Sequence, residues 1–197
     1  MQPFVTKRTV GKMPEIKTSR EQIIKDAIHL FKVRGYFGTS MADVAQSCGL
    51  IKGSLYHHFR SKEELALDCL KHIHDYFSRQ VFSIANLPDM SDARKLSHFT
   101  DEVESYFLKS EGGCLLGNLI LQASGDMPEF KAEIESYFND WEAALAAILQ
   151  ASFGKAQARQ TAREIIASTQ GCIMMMRLYE KSDTFKNMNR KVRRLLG

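Results

Sequence analysis

Between Lys52 and His57 the chain reads Lys-Gly-Ser-Leu-Tyr-His, and its polar side chains are all hydrogen-bond donors with no carboxylate among them. Such a run suits a polyanion. The Lys52 ammonium and the backbone amides at a helix start match phosphate oxygens. Gly53 lets another backbone come close, and the Ser54 hydroxyl adds a donor. The Tyr56 hydroxyl reaches a phosphate while its ring lies on a sugar, and His57 is placed for a base edge in a major groove. Lys62 downstream adds an ammonium. Taken singly these residues have plainer readings: Tyr56 in a core, His57 or His58 as a solvated histidine, Lys62 as a helix-end charge. Taken together, an acid-free donor face points to double-stranded DNA.

These groups need a rigid support. Thr39 or Ser40 caps a helix of about two turns that ends at Gly49, and a second short helix runs from near Ile51 to Phe59. Helices so short do not persist alone, because nucleation is costly. They must pack on each other and on the helix before them. Val44, Ala45 and Cys48 are expected to face inward from the first, and Leu50, Leu55 and Phe59 from the second. Ala45 is small at the crossing, Gly49 permits a left-handed turn, and apolar Leu55 follows: this is helix-turn-helix spacing.

The rest of the chain is also helical in pattern. Prolines occur only at positions 3, 14, 88 and 128, so 15–87 and 129–197 lack the strongest helix breaker. Ile23, Ile24, Ala27, Leu30 and Phe31 form one apolar stripe after a Thr18 or Ser19 cap. Leu65, Cys69, Ile73, Tyr76, Phe77 and Ile84 form another on a long helix from about Lys62 to Leu87. The predicted fold is all-α with about nine helices. It divides into a flexible basic arm at 1–17, a helix-turn-helix DNA-binding domain at 18–62, and a larger helical domain at 63–197.

Composition narrows the remaining classes. With 197 residues, 44% hydrophobic and 25% charged, the chain is too apolar for disorder. Its longest apolar run, Ala143–Leu149, falls short of the roughly 20 residues of a membrane span. The first residues carry Lys7, Arg8, Lys12 and Lys17 without an apolar stretch, so no secretory signal is expected. Cys48, Cys69, Cys114 and Cys172 lack the close pairs of zinc sites, and a cytoplasmic protein with reduced thiols, no metal and no cofactor is expected. Residues 1–62 carry a net +7 and the remainder −3, within a total of +4. One end is thus suited to a polyanion. His29, His57, His58, His72, His74 and His98 form no catalytic motif and no phosphate-cradling glycine loop is present, so no catalytic residue is expected.

The runs Gly35-Tyr36-Phe37-Gly38-Thr39-Ser40-Met41-Ala42-Asp43-Val44-Ala45 and Gly49-Leu50-Ile51-Lys52-Gly53-Ser54-Leu55-Tyr56-His57-His58-Phe59-Arg60-Ser61-Lys62-Glu63-Glu64-Leu65 strongly resemble the TetR family of bacterial transcriptional regulators. The resemblance covers about residues 19–70. It implies an all-α homodimer, usually a repressor released from its operator by a small ligand, with DNA contacts from Thr39, Ser40, Lys52, Gly53, Tyr56, His57 and Lys62. Met41 stands where relatives often carry a hydroxyl residue, and Ile51 where they frequently carry serine. A dimer would present two recognition helices about 34–36 Å apart to a near-palindromic operator. The resemblance also places a four-helix dimer interface on the helix Arg163–Lys181 and on a last helix from about Thr184.

The resemblance implies that residues 63–197 are a ligand-binding and dimerisation domain, expected to receive a small-molecule inducer or a redox or electrophile signal. From the family's pocket position and the aromatics present, the expected lining is Phe99, Val103, Phe107, Leu116, Leu119, Phe138, Trp141 and Leu145. Cys114 follows Gly112-Gly113 at a helix start, where a thiol is made more reactive, and a similar Gly-Cys-Leu context marks the sensor in one branch of the family. A small buried residue at a helix junction is the other reading of Cys114. Met174, Met175 and Met176 cannot all lie on one buried stripe, so at least one faces a partner or a cavity. An architectural DNA-binding protein of the same fold, acting through protein partners without an inducer, is the alternative function.

Overall fold

The computed structural model describes residues 19–123 and 127–197. The expected basic arm at 1–17, and Thr18 with it, lies outside the described residues. Among those described there are nine α-helices, one 3₁₀ turn and no strand, and no helix is long and apolar enough to cross a membrane.

Helix α1 (Arg20–Arg34) starts where the Ser19 hydroxyl accepts from the Gln22 amide at 3.1 Å, and it buries Ile23, Ile24, Ala27, Leu30 and Phe31. Helices α2 (Met41–Ser47) and α3 (Lys52–His58) follow, then α4 (Lys62–Gln80), whose first turn is capped by Ser61. The larger half contains α5 (Asp92–Lys109), α6 (Leu115–Ala123), α7 (Pro128–Phe153), α8 (Lys155–Tyr179) and α9 (Asp183–Arg193). Helices α7 and α8 form a long antiparallel pair turned at Gly154, and α9 packs on α5 and α8. Arg193 binds Asp101 at 2.7 Å and Glu104 at 3.1 Å, closing α9 onto α5.

The expected helix from Lys62 to Leu87 is shorter than its apolar spacing suggests. Helix α4 ends at Gln80 and the chain tightens into a 3₁₀ turn over Phe82–Asn86. The Ser83 hydroxyl donates to the Arg79 carbonyl at 2.8 Å, the acceptor that a continuing helix would pair with the Ser83 amide. Phe82, Ile84 and Ala85 are buried by the turn. Tyr76, expected in the stripe, is exposed at its edge and rests beside the Tyr106 ring.

The core of the larger half is aromatic. Phe77 and Phe82 meet Tyr137 and Trp141, with ring centroids 5.4–6.3 Å apart, and Phe99 and Phe107 close the cluster from α5. His74 ties α4 to α7 at its flank: Nδ1 lies 2.8 Å from Glu133 and Nε2 lies 2.9 Å from Asp140.

Candidate nucleic-acid interface

Helix α2 is seven residues long and is held by its ends. The Ser40 hydroxyl accepts from the Asp43 amide, and the Asp43 carboxylate accepts from the Ser40 amide at 2.8 Å, a reciprocal capping box. Hydrogen bonds from Ser40, with nearby Arg34, hold the Asp43 carboxyl below the usual carboxylate range. At the other end Gly49 takes φ 66°, and the Leu50 amide reaches back to the Ala45 carbonyl at 2.8 Å. The turn sends α3 across α2, with Val44, Ala45, Leu55 and Phe59 buried and Cys48 and Leu50 half-buried between them.

Helix α3 buries Leu55 and directs its polar residues outward. Lys52, Gly53, Tyr56 and His57 are exposed, while Ser54 and His58 are half-buried. Tyr56 is 43% exposed and is not a core residue. The Lys52 ammonium lies 5.9 Å from the centre of its ring. Nothing lies within 4 Å of the position a Cβ would take at Gly53, so the fold leaves that surface open. No acidic residue occurs in α3. Ser40 is exposed at the start of α2, with its hydroxyl committed to Asp43 at 2.5 Å.

Two of the expected contact residues sit differently. Thr39 is 1% exposed, and its hydroxyl donates to the Gly35 carbonyl at 2.9 Å. It closes the end of α1, so its side chain does not face a duplex. Lys62 is half-buried. Its ammonium donates to the Tyr36 carbonyl at 3.1 Å and lies 4.2 Å from the Tyr36 ring centre. It fastens α4 to the loop before α2. Met41 is likewise buried, so position 41 presents nothing outward.

Three residues that sequence patterns did not reveal brace this module. Arg20 lies 4.0 Å above the Phe59 ring, donates to the His58 carbonyl, and pairs with Asp68 at 2.6 Å, joining α1, α3 and α4. Buried Tyr36 donates its hydroxyl to Glu63 and its amide to Gln122 of α6, each at 3.0 Å. Burial first, and then Glu63, pushes its phenol well above the usual tyrosine range. Lys32 is 4% exposed and reaches Ser110 at 2.5 Å and Tyr106 at 3.3 Å. Burial lowers its ammonium to about 8. A Cβ at Gly112 would come within 2.7 Å of the Lys32 backbone, so only glycine permits this approach of α1 to the turn before α6. Their partners lie far away in the sequence, and no local spacing signals them.

The expected ligand pocket is not a single cavity. Phe99, Val103, Trp141 and Leu145 line a void of about 10 Å³, together with Thr169 and Asn189, which is room for one water at most. Phe107, Leu116 and Leu119 are packed elsewhere in the core. Phe138 is half-buried and stacks on Trp141 at 6.2 Å. The aromatic side chains fill the volume they were expected to enclose. Within that core, the Tyr137 hydroxyl and Trp141 Nε1 are buried without hydrogen-bond partners among the described residues. Cys114 does not have the activated thiol that a helix start suggests. It is 5% exposed. Burial raises its pKa, outweighing the Gly117 amide at 3.4 Å and the charge of Lys32.

Comparison with known proteins accords with this geometry. The sequence model described as bacterial regulatory proteins, tetR family, matches residues 23–69. A second, described as the transcriptional regulator LmrA/YxaF-like C-terminal domain, matches residues 93–191. An uncharacterized HTH-type transcriptional regulator in the lacX 3′ region of Lactococcus lactis is 28% identical over 174 residues, spanning 83% of this chain and 85% of that protein. The biofilm operon icaADBC negative transcriptional regulator IcaR of Staphylococcus aureus is 27% identical over 145 residues, spanning 72% and 73%. A TetR transcriptional regulator from Legionella pneumophila shares the fold, with a TM-score of 0.81 over 90% of this chain and 97% of that one, at 22% identity.

Proposed function

This chain belongs to the TetR family of helix-turn-helix transcriptional regulators, DNA-binding factors rather than enzymes, and from that premise we propose that it is a dimeric repressor released from a near-palindromic operator by a small molecule. The observation that carries the DNA contact is the exposed, acid-free face of α3. Lys52, Ser54 and Tyr56 meet phosphates there, Gly53 admits the backbone, and His57 enters the major groove. Ser40 contributes from the start of α2. Thr39 and Lys62 act behind this face as braces. The negative regulation named for the S. aureus relative supports repression. Exposed Met174, Leu178 and Tyr179 on α8, beside α9, support pairing through the last two helices.

The signal enters through the aromatic core of α4, α5 and α7. Two buried donors without partners, Tyr137 Oη and Trp141 Nε1, await an acceptor in an otherwise apolar cluster. A ligand that parts α7 from the 3₁₀ turn displaces α4, and only three residues separate α4 from the end of α3. Differential binding to the displaced state then lowers the population competent for the operator. A buried thiol of raised pKa does not favour Cys114 as a sensor of electrophiles.

The test is fluorescence anisotropy on duplexes selected from a random library by the full chain. Affinity is expected to fall by about 10³ between about 50 and about 200 mM salt. Absence of binding to every duplex in dilute buffer would refute the reading. Treatment of the native protein with N-ethylmaleimide should leave Cys114 unmodified and the operator bound. Release that Cys114→Ser abolishes would replace ligand entry by thiol chemistry.

A further inference from the structure

Ile51 is 76% exposed, more than any other large apolar side chain in the described part of the helix-turn-helix. It occupies the N-cap of α3, and no side chain caps that helix. Ser40 and Ser61 supply such caps to α2 and α4. A serine, threonine or aspartate would stabilise α3 from this position. Isoleucine offers the fold neither a cap nor packing there. Its neighbours Lys52 and Gly53 are exposed, and His57 is exposed one and a half turns further along. An exposed ammonium beside the isoleucine does not suit an apolar protein surface. It does suit a duplex.

The leading residues of a recognition helix are the ones that reach base edges. The major groove presents donors and acceptors with one apolar exception, the C5-methyl of thymine. We propose that Ile51 is a specificity-determining residue that selects thymine at one position of each operator half-site by covering its methyl group. This assignment rests on α3 being the DNA-contacting helix. It divides the labour along α3: Lys52 and Tyr56 fix the register on phosphates, and Ile51 adds a sequence preference that hydrogen bonding cannot supply.

The experiment replaces thymine by deoxyuracil, one position at a time, in a duplex selected by the full chain. Deoxyuracil keeps every hydrogen-bonding group and lacks only the methyl. Wild-type protein should lose about fourfold in affinity at one position of a half-site, and about fifteenfold when both half-sites are changed. Ile51→Ala and Ile51→Ser should bind the thymine and deoxyuracil duplexes equally. Both variants should keep the wild-type melting temperature or, for serine, exceed it, because the side chain is 76% exposed and lies outside the core. A scan with no sensitive position, or an Ile51→Ala protein that still discriminates fourfold, overturns the assignment while leaving DNA binding intact. Failure to enrich any duplex in dilute salt overturns the DNA-binding reading itself, and this assignment falls with it.

Discussion

The two halves of the chain treat their polar groups in opposite ways. In the helix-turn-helix, Ser19, Ser40 and Ser61 are consumed in caps and Thr39 in closing α1, so that the remaining donors on α3 point outward and unencumbered. In the larger half, Tyr137 Oη and Trp141 Nε1 are held in the interior without partners. Buried unpartnered donors are destabilising, whereas side-chain caps on α1, α2 and α4 hold the support of α3 in a single shape. One half presents exposed donors, and the other encloses two donors that no described residue satisfies. Lys32 sits at the seam, a buried ammonium from the first half held by the hydroxyls and ring of the second.

That contrast can be broken at several points, and the largest expected effect is at the seam. Burial lowers the Lys32 ammonium from 10.5 to about 8, so between those values the unfolded chain binds the extra proton. Stability of the wild type therefore rises as pH climbs from about 8 to about 10.5. Below pH 8 the full penalty of burying the charge is present. Lys32→Met removes that penalty and should be more stable near neutrality, with an advantage that shrinks by about 2–3 kcal/mol across the window. Urea denaturation at several pH values measures it, and a constant difference between the two proteins would show that the ammonium is not desolvated.

Thr39→Val keeps the shape and removes the hydroxyl from the Gly35 carbonyl. It should cost about 1–2 kcal/mol in thermal or urea unfolding while leaving the operator affinity of the folded protein unchanged. An affinity loss without destabilisation would return Thr39 to the DNA surface. Tyr137→Phe deletes a buried donor that has no partner, and it should be neutral or stabilising by about 1 kcal/mol while blunting the response to the inducer. A loss of stability of that size would mean that the hydroxyl is satisfied in the folded state. The smallest effect on stability belongs to Lys52→Ala, within about 0.5 kcal/mol. Its operator affinity should nevertheless fall for all sequences alike, and the slope of log affinity against log salt should lessen by about 1.

The helix-turn-helix was legible because its determinants are local. Small Ala45, left-handed Gly49, a cap at Thr39 or Ser40 and buried Leu55 act within a few residues of one another, and each has a conformational or capping reason that spacing exposes. The stripe through Leu65, Cys69, Ile73 and Phe77 was legible for the same reason. The break at Gln80 was not, because a serine hydroxyl competing for a backbone carbonyl looks, in sequence, like any polar residue on a helix. Cys114 shows the limit most clearly. Its place beside a helix start argues for a lowered pKa, and only the packing around it reveals that burial prevails.

Residue types and short-range spacing alone settled an all-helical chain with an outward donor run between Lys52 and His57, because helix geometry converts spacing into faces. Which hydroxyls and ammoniums remain available to a partner was decided by tertiary structure. Thr39, Lys62 and Lys32 have the chemistry of contact residues, yet each is bound to an oxygen of the chain, and for Lys62 and Lys32 that oxygen is one that the fold alone brings near. A side chain's chemistry is local, but its desolvation and its hydrogen-bond partners depend on distant chain segments, and those fix what it is left to do.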